Sequence, residues 1–411
     1  MMFYVVHFTI LYCIGASRAV TDAEKLLVDL NSLIPNIRAR GRDAEEAGRI
    51  PEETIEELKT INAFKAIVPK SRGGMEVDFP YVWNIFRLLG RGCVSTGWCM
   101  GFLIYHNYQF AHYSKKAQDE AFASKGYTMA AGLVVPGGEA KVVDGGFVLN
   151  GRWSWATGIL HCDYLALAVP VDDLKDENDM PIVYRFFLPV QECKIHDNWD
   201  VAAMKATGSH DVSLENVFVP EHHAIEVAQL RNLNGPGLKI NKGALYRIPV
   251  LTFMAFGTIG PVVGGVEALF EMVNEILKTK IGAYSGDHQA GLMTQRVRFA
   301  RLKMEIDSLV TFIQSNAEIA WEKVKDGPGL KREERAEMRM VIVYAARKCR
   351  EIADELALVA GSGATYLNSP IQRFHRDISV LTTHAIFEFD HVADMYGGTL
   401  MEIDLPSNAM I

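Results

Sequence analysis

The sequence lacks the cysteine spacing of a disulfide-framed or zinc-binding protein. Its 411 residues include six cysteines, none of which forms a C-x-x-C pair or has a histidine at zinc-finger spacing. Isolated cysteines of this kind are typical of buried thiols in a reducing compartment. We therefore expect a cytoplasmic protein whose site contains no metal ion.

Positive charge and long apolar runs are also scarce. Lys and Arg total 42 against 50 Asp and Glu, a net charge of −8. Nucleic acid requires clustered basic residues, so we expect no nucleic-acid partner. Residues 1–16 are apolar, but this run is too short to span a bilayer and has no Lys or Arg before Arg18. We expect an appendage rather than a secretion signal, and no membrane partner.

Standard catalytic and nucleotide-binding motifs are missing as well. The sequence has no G-x-x-x-x-G-K-[ST], no H-E-x-x-H and no complete G-x-G-x-x-G. Gly90-Arg91-Gly92 and Gly361-Ser362-Gly363 are the nearest dinucleotide candidates, and neither follows a strand in a βαβ unit. A Rossmann site for NAD(P)H is therefore not expected. If the protein is a redox enzyme, its electrons must arrive by another route.

What remains is the composition of a folded globular protein, with 49% hydrophobic and 22% charged residues. Thr21 and Glu24 form a capping box that predicts the start of a helix, and helical patterns continue to about residue 125. A strand-rich stretch follows, with a hairpin signal at Asn150-Gly151. Helical patterns return after about residue 235. We predict an extension over 1–20, a helical domain over 21–125, a β domain over 126–235 and a helical domain over 236–411.

Two segments of the β domain carry a family resemblance. Residues 150–157 match the pattern N-G-x-x-x-W-x-[ST], and residues 208–220 match G-[ST]-x-D-V-x-[LF]-x-x-V-x-V-P. Together with the order of domains, these segments resemble the acyl-CoA dehydrogenase superfamily over roughly residues 21–400. The resemblance implies an α+β fold with an N-terminal helical domain, a central antiparallel β domain and a C-terminal four-helix bundle.

A third segment points to one branch of that superfamily. Acyl-CoA dehydrogenases use a Glu as base, but residues 378–384 contain none, and residues 243–266 contain no Asp or Glu. Residues 370–385 read P-x-Q-R-x-x-R-D-x-x-x-x-x-x-H-A, which ends at His384 and Ala385. This segment, with Trp98 and His106 upstream, resembles the oxygenase components of two-component flavin-dependent monooxygenases of the 4-hydroxyphenylacetate 3-hydroxylase and secosteroid phenol hydroxylase types.

The resemblance implies an enzyme that hydroxylates a phenol- or indole-like aromatic substrate through a C4a-hydroperoxyflavin. It implies reduced FMN or FAD and O2 as cosubstrates, a separate NAD(P)H:flavin reductase and a homotetramer. His384 would be the catalytic base, His106 would orient the substrate hydroxyl, and Thr157 would contact flavin N5. The implied flavin-binding residues are Trp155, Thr157, Ser209, Arg298, Gly361, Ser362 and Gly363. The implied substrate-binding residues are Trp98, Phe102, Tyr105 and His106.

Three alternatives stay open at this point. The same branch also accommodates oxygenation of nitrogen or sulfur. An acyl-CoA dehydrogenase or oxidase has the same fold, although the missing carboxylate argues against it. A helical scaffold that has lost its flavin would keep the fold without the chemistry.

Overall fold

The N-terminal part of the chain is helical, as predicted. The computed structural model describes residues 19–282, 286–406, 409 and 411, so the predicted extension over 1–20 lies almost wholly outside the described residues. The predicted capping box at Thr21 is present, with the Glu24 amide donating to the Thr21 hydroxyl. Six helices follow: α1 (Asp22–Ala39), α2 (Gly41–Ala47), α3 (Glu52–Thr60), α4 (Phe79–Gly92), α5 (Val94–Phe110) and α6 (Lys115–Phe122).

The middle of the chain forms one eight-stranded sheet, in the order β6-β7-β3-β2-β4-β5-β8, with β1 pairing with β4. Its strands are β1 (Ala130–Leu133), β2 (Glu139–Val143), β3 (Gly146–Ala156), β4 (Tyr164–Lys175), β5 (Pro181–Pro189), β6 (Lys194–His196), β7 (His210–Pro220) and β8 (Ala224–Glu226). Most strand pairs are antiparallel, as predicted for the β domain, but the sheet is mixed, because β4 pairs in parallel with both β1 and β2. Parallel neighbours need a crossover connection, and here the β2–β3 hairpin lies within the connection from β1 to β4.

The C-terminal part is again helical. Its helices are α7 (Val227–Arg231), α8 (Val250–Thr279), α9 (Met293–Lys325), α10 (Arg332–Ala360), α11 (Pro370–Leu381) and α12 (Phe389–Leu400). By length and composition alone α8 could cross a membrane, but 83% of its most apolar window is buried within the protein. Such burial is that of a core helix, which can be hydrophobic on all sides.

Close contact between α4 and α8 joins the two helical parts. A Cβ added to Gly264 would lie 2.0 Å from the carbonyl oxygen of Arg87, so only glycine allows the two backbones to approach this closely. Beside this contact, Arg87 forms a shielded ion pair with Glu267 at 2.9 Å. The helical parts therefore share one core, and α5 packs against it.

Candidate active site

One side of α5 carries the rings predicted to bind substrate. The Trp98 and Phe102 rings meet edge to face at 4.7 Å, and Phe102 lies 6.1 Å from both Tyr105 and His106. Residues four apart share a helix face, so Trp98, Phe102 and His106 form a row. His384 completes it, with its ring centroid 5.0 Å from that of Trp98. We call these five residues the aromatic half of the site.

A narrow apolar cleft runs beside the aromatic half, between α4, α5 and α8. Trp98, Phe102 and Tyr105 line it from α5, and Met254 and Thr258 line it from α8. Aromatic walls of this kind suit a flat ring, because stacked and edge-to-face contacts add to the hydrophobic gain. The structure thus brings three of the predicted substrate residues to one cleft, and their contact with a substrate stays a prediction.

His106 is buried and fixed in one tautomer. Its Nδ1 lies 2.8 Å from the Phe102 carbonyl oxygen, which can only accept, so Nδ1 carries the proton and Nε2 keeps its lone pair. Burial and, to a smaller extent, the positive charge of Arg185 lower the pKa of His106 to about 3. The ring is thus a neutral hydrogen-bond acceptor at physiological pH, as orientation of a substrate hydroxyl requires.

His384 holds the opposite tautomer. Helix α11 ends at Leu381, three residues before the position expected to be helical, and His384 instead caps a short 3-10 turn. Its Nδ1 accepts a hydrogen bond from the Ile386 amide at 3.1 Å, so Nε2 carries the proton in the neutral ring. The surrounding protein lowers the pKa of His384, although the residue keeps an exposed edge. In this geometry Nε2 is a donor, and the predicted role as base would require the turn to release Nδ1.

Trp155 is displayed outward at the end of β3. Its side chain is 69% exposed, and its φ of 71° lies in the left-handed region, which costs a non-glycine residue of order 1–3 kcal/mol. The pairing of β3 with β7 shifts register between Trp153 and Ala156, which marks a bulge there. A strained, exposed indole at a bulge fits a wall for a flat cofactor, as predicted for Trp155.

Three hydroxyl groups form a chain beside Trp155. The Thr157 and Ser209 oxygens lie 3.0 Å apart, the Ser209 and Thr207 oxygens lie 2.8 Å apart, and Thr207 donates to the Met204 carbonyl oxygen at 2.9 Å. A carbonyl only accepts, so Thr207 must accept from Ser209, and Ser209 from Thr157. Thr157 therefore has unused lone pairs but no unused proton. We call Trp155, Thr157, Ser209 and Thr207 the hydroxyl half of the site.

Gly158 joins the two halves. Its φ is +70°, and a Cβ at this position would lie 2.6 Å from the sulfur of Cys99 and 2.9 Å from a methyl carbon of Leu103. Its amide also donates to the Thr207 carbonyl oxygen. Glycine is thus required for the turn after Thr157 to pack against Cys99 and Leu103 of α5, the helix that also carries Trp98 and Phe102.

Asp377 is a positioning residue whose role sequence reasoning missed. One oxygen of its buried carboxylate accepts from the Met204 amide at 2.6 Å, and the other accepts from the Ser95 hydroxyl at 3.0 Å. Its neighbour Arg376 donates to the Ala202 carbonyl oxygen and pairs with Glu45 at 2.6 Å. The Arg-Asp pair was visible in the motif, but only the structure shows that it ties α11 to the start of the hydroxyl chain and to α5.

Arg298 and the Gly361–Gly363 segment belong to another part of the molecule. Arg298 lies on α9 and forms an ion pair with Glu355 of α10 at 3.3 Å. Gly361 follows α10, where Lys280 donates to the last carbonyl oxygens of the helix. Within the described residues, the chain does not connect these groups to either half of the site by a hydrogen bond or ion pair. Their predicted contact with flavin phosphate stays a prediction.

One group of residues of metal-ligating type lies outside both halves of the site, where His223 stacks on Phe187 of β5. Glu120 accepts from Nε2 of His222 at 3.0 Å and from Nε2 of His223 at 2.6 Å. Each carboxylate oxygen thus has an imidazole partner. We assign this group a structural role, because these hydrogen bonds account for both oxygens.

Comparison with known proteins identifies the family. Residues 34–129 match the model described as acyl-CoA dehydrogenase, N-terminal domain, and residues 257–389 match the C-terminal domain model. The chain is 28% identical over 369 residues to a flavin-dependent monooxygenase oxygenase subunit, HsaA, of Rhodococcus jostii, with 90% of this chain and 96% of that protein covered. It is 29% identical over 394 residues to the oxygenase component of p-hydroxyphenylacetate 3-hydroxylase of Acinetobacter baumannii, with 94% and 91% covered.

A solved structure agrees with these relatives. The crystal structure of the HsaA monooxygenase from M. tuberculosis superimposes with a TM-score of 0.88 at 27% identity, and the match covers 95% of this chain and all of that one. The two family models together span more than half of the sequence. The chain therefore belongs to the acyl-CoA dehydrogenase superfamily, in the branch of the flavin-dependent monooxygenase oxygenase components.

Proposed function

We propose that this protein is the oxygenase component of a two-component flavin-dependent monooxygenase that hydroxylates a phenol- or indole-like substrate. The observation that carries the proposal is the contact of Gly158 with Cys99 and Leu103, which brings the turn after Thr157 to the helix that carries Trp98, Phe102 and His106. The named relatives support the reaction class, since they are oxygenase subunits and one acts on p-hydroxyphenylacetate.

Reduced FMN or FAD, when bound, supplies the electrons that activate O2. The residues fit such a group, because Trp155 offers an open indole face and Thr157 offers lone pairs without a proton. Flavin N5 bears hydrogen only in the reduced form, so the polarity of the hydroxyl chain favours reduced over oxidised flavin. The buried rings around the cleft exclude water, which protects reactive species from hydrolysis and proton leakage.

The substrate ring lies in the cleft beside Trp98 and Phe102 in this proposal. His106 accepts a hydrogen bond from the substrate through Nε2, and His384 donates through Nε2–H at the open end of the row. This assignment differs from a His384 base and follows from the hydrogen bond that occupies Nδ1.

The runner-up reaction, acyl-CoA dehydrogenation, needs a carboxylate base. The first carboxylates of α8 are Glu267 and Glu271, and both are paired with arginines of α4. The buried carboxylate of Asp377 accepts two hydrogen bonds that hold the site together. Among the described residues, these pairings leave the aromatic row with imidazoles, which favours oxygenation.

Partners and location form the last part of the proposal. A separate NAD(P)H:flavin reductase delivers the reduced flavin, because the chain has no complete Rossmann motif. We propose a cytoplasmic homotetramer. Exposed apolar side chains on the C-terminal helices, among them Val297, Leu358 and Leu400, support association of subunits there.

Stopped-flow mixing of the protein and reduced flavin with O2 tests the proposal. A long-lived absorbance that precedes oxidised flavin is expected, followed by a hydroxylated product when a phenol is present. Immediate appearance of oxidised flavin with full release of H2O2, for both FMN and FAD, would overturn the proposal.

A further inference from the structure

Arg185 is a buried cation without an anionic partner. It lies on β5 with 2% of its surface exposed. One terminal nitrogen, Nη1, donates to the Leu133 carbonyl oxygen. Its Nε and Nη2 have no hydrogen-bond partner. Burial of an unpaired charge is costly, and proteins normally pair such a group or place a ligand against it.

The groups around Arg185 do not supply the missing negative charge. The hydroxyls of Tyr105 and Tyr113 lie near enough to interact with the guanidinium, but burial raises both of their pKa values, that of Tyr105 to about 12. The third titratable neighbour, His106, is neutral or cationic in any protonation state that it adopts. All three groups are uncharged at neutral pH, so the charge of Arg185 stays uncompensated within the described residues.

The guanidinium is held beside His106. From β5 the side chain passes β4, where its paired residue is the small Ala168, and reaches the end of β1. A Cβ added to Gly132 would lie 2.5 Å from Nη2 of Arg185 and 2.1 Å from Nε2 of His106. The glycine on β1 thus leaves room for the two nitrogens, which are close neighbours there.

This pair lies behind Tyr105, one of the side chains that line the cleft. The Tyr105 ring lines the cleft and has its centroid 5.3 Å from that of His106. A ring held by Trp98 and Phe102 with a substituent turned toward Tyr105 would bring that substituent to His106 and Arg185. The unpartnered donor nitrogens of the Arg185 cation suit an oxygen that carries negative charge, whereas the Nε2 lone pair of His106 suits a neutral hydroxyl before it ionises.

We propose that Arg185 binds an anionic oxygen of the aromatic substrate, so that the enzyme selects arenes with an ionised hydroxyl or carboxylate group. This inference rests on the proposed function and narrows its substrate class. For a phenol, the O–H bond breaks, the proton passes to solvent and the electron pair stays on oxygen as a phenolate. The phenolate ring is richer in electrons, which is what electrophilic oxygen transfer needs.

Binding of 4-nitrophenol to the full-length protein without flavin tests the inference, because its phenolate absorbs visible light and its phenol does not. The bound probe is expected to ionise at lower pH than the free probe. Arg185→Met should abolish this shift, since charged hydrogen bonds contribute enough to change affinity for the anion at least about tenfold. Arg185→Lys, which keeps the charge, should preserve part of the shift.

Two further probes separate the sources of the anion. Phenylacetate tests a carboxylate, and indole serves as the neutral control whose affinity Arg185→Met should leave unchanged. Loss confined to 4-nitrophenol assigns the subsite to phenolates, and loss confined to phenylacetate assigns it to carboxylates. Equal affinity of wild type and Arg185→Met for both anions would overturn the inference.

Thermal unfolding provides a check on folding. Replacing an unpaired buried charge with an apolar side chain is often neutral or stabilising, so Arg185→Met should keep or raise the melting temperature. A large fall in melting temperature, combined with loss of indole binding, would show a structural role instead. Because none of these measurements involves O2, they remain distinct from the stopped-flow test of the proposed function.

Discussion

The two halves of the site differ in burial and in how completely their polar groups are paired. The aromatic half is largely buried apart from His384 but electrostatically incomplete, since Arg185 near it keeps two unpartnered nitrogens. In the hydroxyl half, the hydrogen bonds run without a gap from Thr157 to the Met204 carbonyl oxygen, whereas the Trp155 indole is open to solvent. The aromatic half lacks a negative charge to pair with Arg185, and the hydroxyl half lacks a group that covers the Trp155 indole.

This difference suggests how each ligand is selected. A group that covers Trp155 gains mainly from buried area, which is roughly proportional to the apolar surface removed from water. A group that enters the cleft gains from pairing with a buried charge, which discriminates strongly between neutral and anionic ligands. Affinity for the cofactor should therefore depend on area, and selection of substrate on charge.

The largest expected effect comes from His384, which closes the aromatic half. We expect His384→Ala to lower the hydroxylation rate by about 10²–10⁴, the usual range for a residue that exchanges protons with the reacting group. His384→Gln supplies an N–H donor but no base. If His384 donates, as the Ile386 hydrogen bond indicates, Gln should recover much of the rate, as measured by product formation under single-turnover conditions.

The exposed neighbour Thr383 offers a matched control, and Thr383→Ala should leave the rate unchanged. If Gln is as impaired as Ala while the oxygen-dependent absorbance persists, His384 is the base predicted from the sequence. His384 would then remove the substrate proton itself. The aromatic half would not depend on Arg185 to favour the ionised substrate.

A smaller effect is expected at Asp377, which joins the halves through Ser95 and Met204. Burial raises the pKa of its carboxyl from the usual 3.8 to about 6. The folded state thus binds this proton more tightly than the unfolded state, and wild type loses stability as pH rises between these values. Asp377→Asn has no such proton, so its stability relative to wild type should rise by about 3 kcal/mol between pH 4 and 7.

Urea unfolding at several pH values measures this change. Asp390→Asn, at an exposed carboxylate on α12, is the control and should follow the wild type across the range. A parallel pH dependence of Asp377→Asn and wild type would show that folding does not raise the pKa of Asp377. The link between the halves would then depend on a carboxylate that is ionised at neutral pH.

Several residues of the candidate site could be predicted from the sequence, because their spacing along the chain shows which of them share a helix face or a motif. The row of Trp98, Phe102 and His106 follows from helical periodicity, and Thr157 and Ser209 lie in motifs that the resemblance covers. Arg185 and Thr207 carry no such signal, since their roles depend on strand order and on a turn between Met204 and Gly208. The parallel pairing of β1 with β4 was missed for the same reason, because no local pattern reports which strands become neighbours.

The smallest expected effect tests the direction of the hydroxyl chain. Thr207→Val removes the acceptor of the Ser209 proton, so Ser209 can donate to Thr157 instead, and Thr157 gains a proton that can be offered to oxidised flavin. The ratio of the Kd for oxidised flavin to the Kd for reduced flavin should fall about three- to tenfold, the value of one hydrogen bond. Anaerobic titration with both forms of FMN and FAD measures the ratio, and Thr207→Ser, which keeps the hydroxyl, should retain it. An unchanged ratio in Thr207→Val would mean that the direction of the Thr157 hydroxyl does not depend on Thr207. A preference for reduced flavin would then have to come from the contact of the flavin with Trp155.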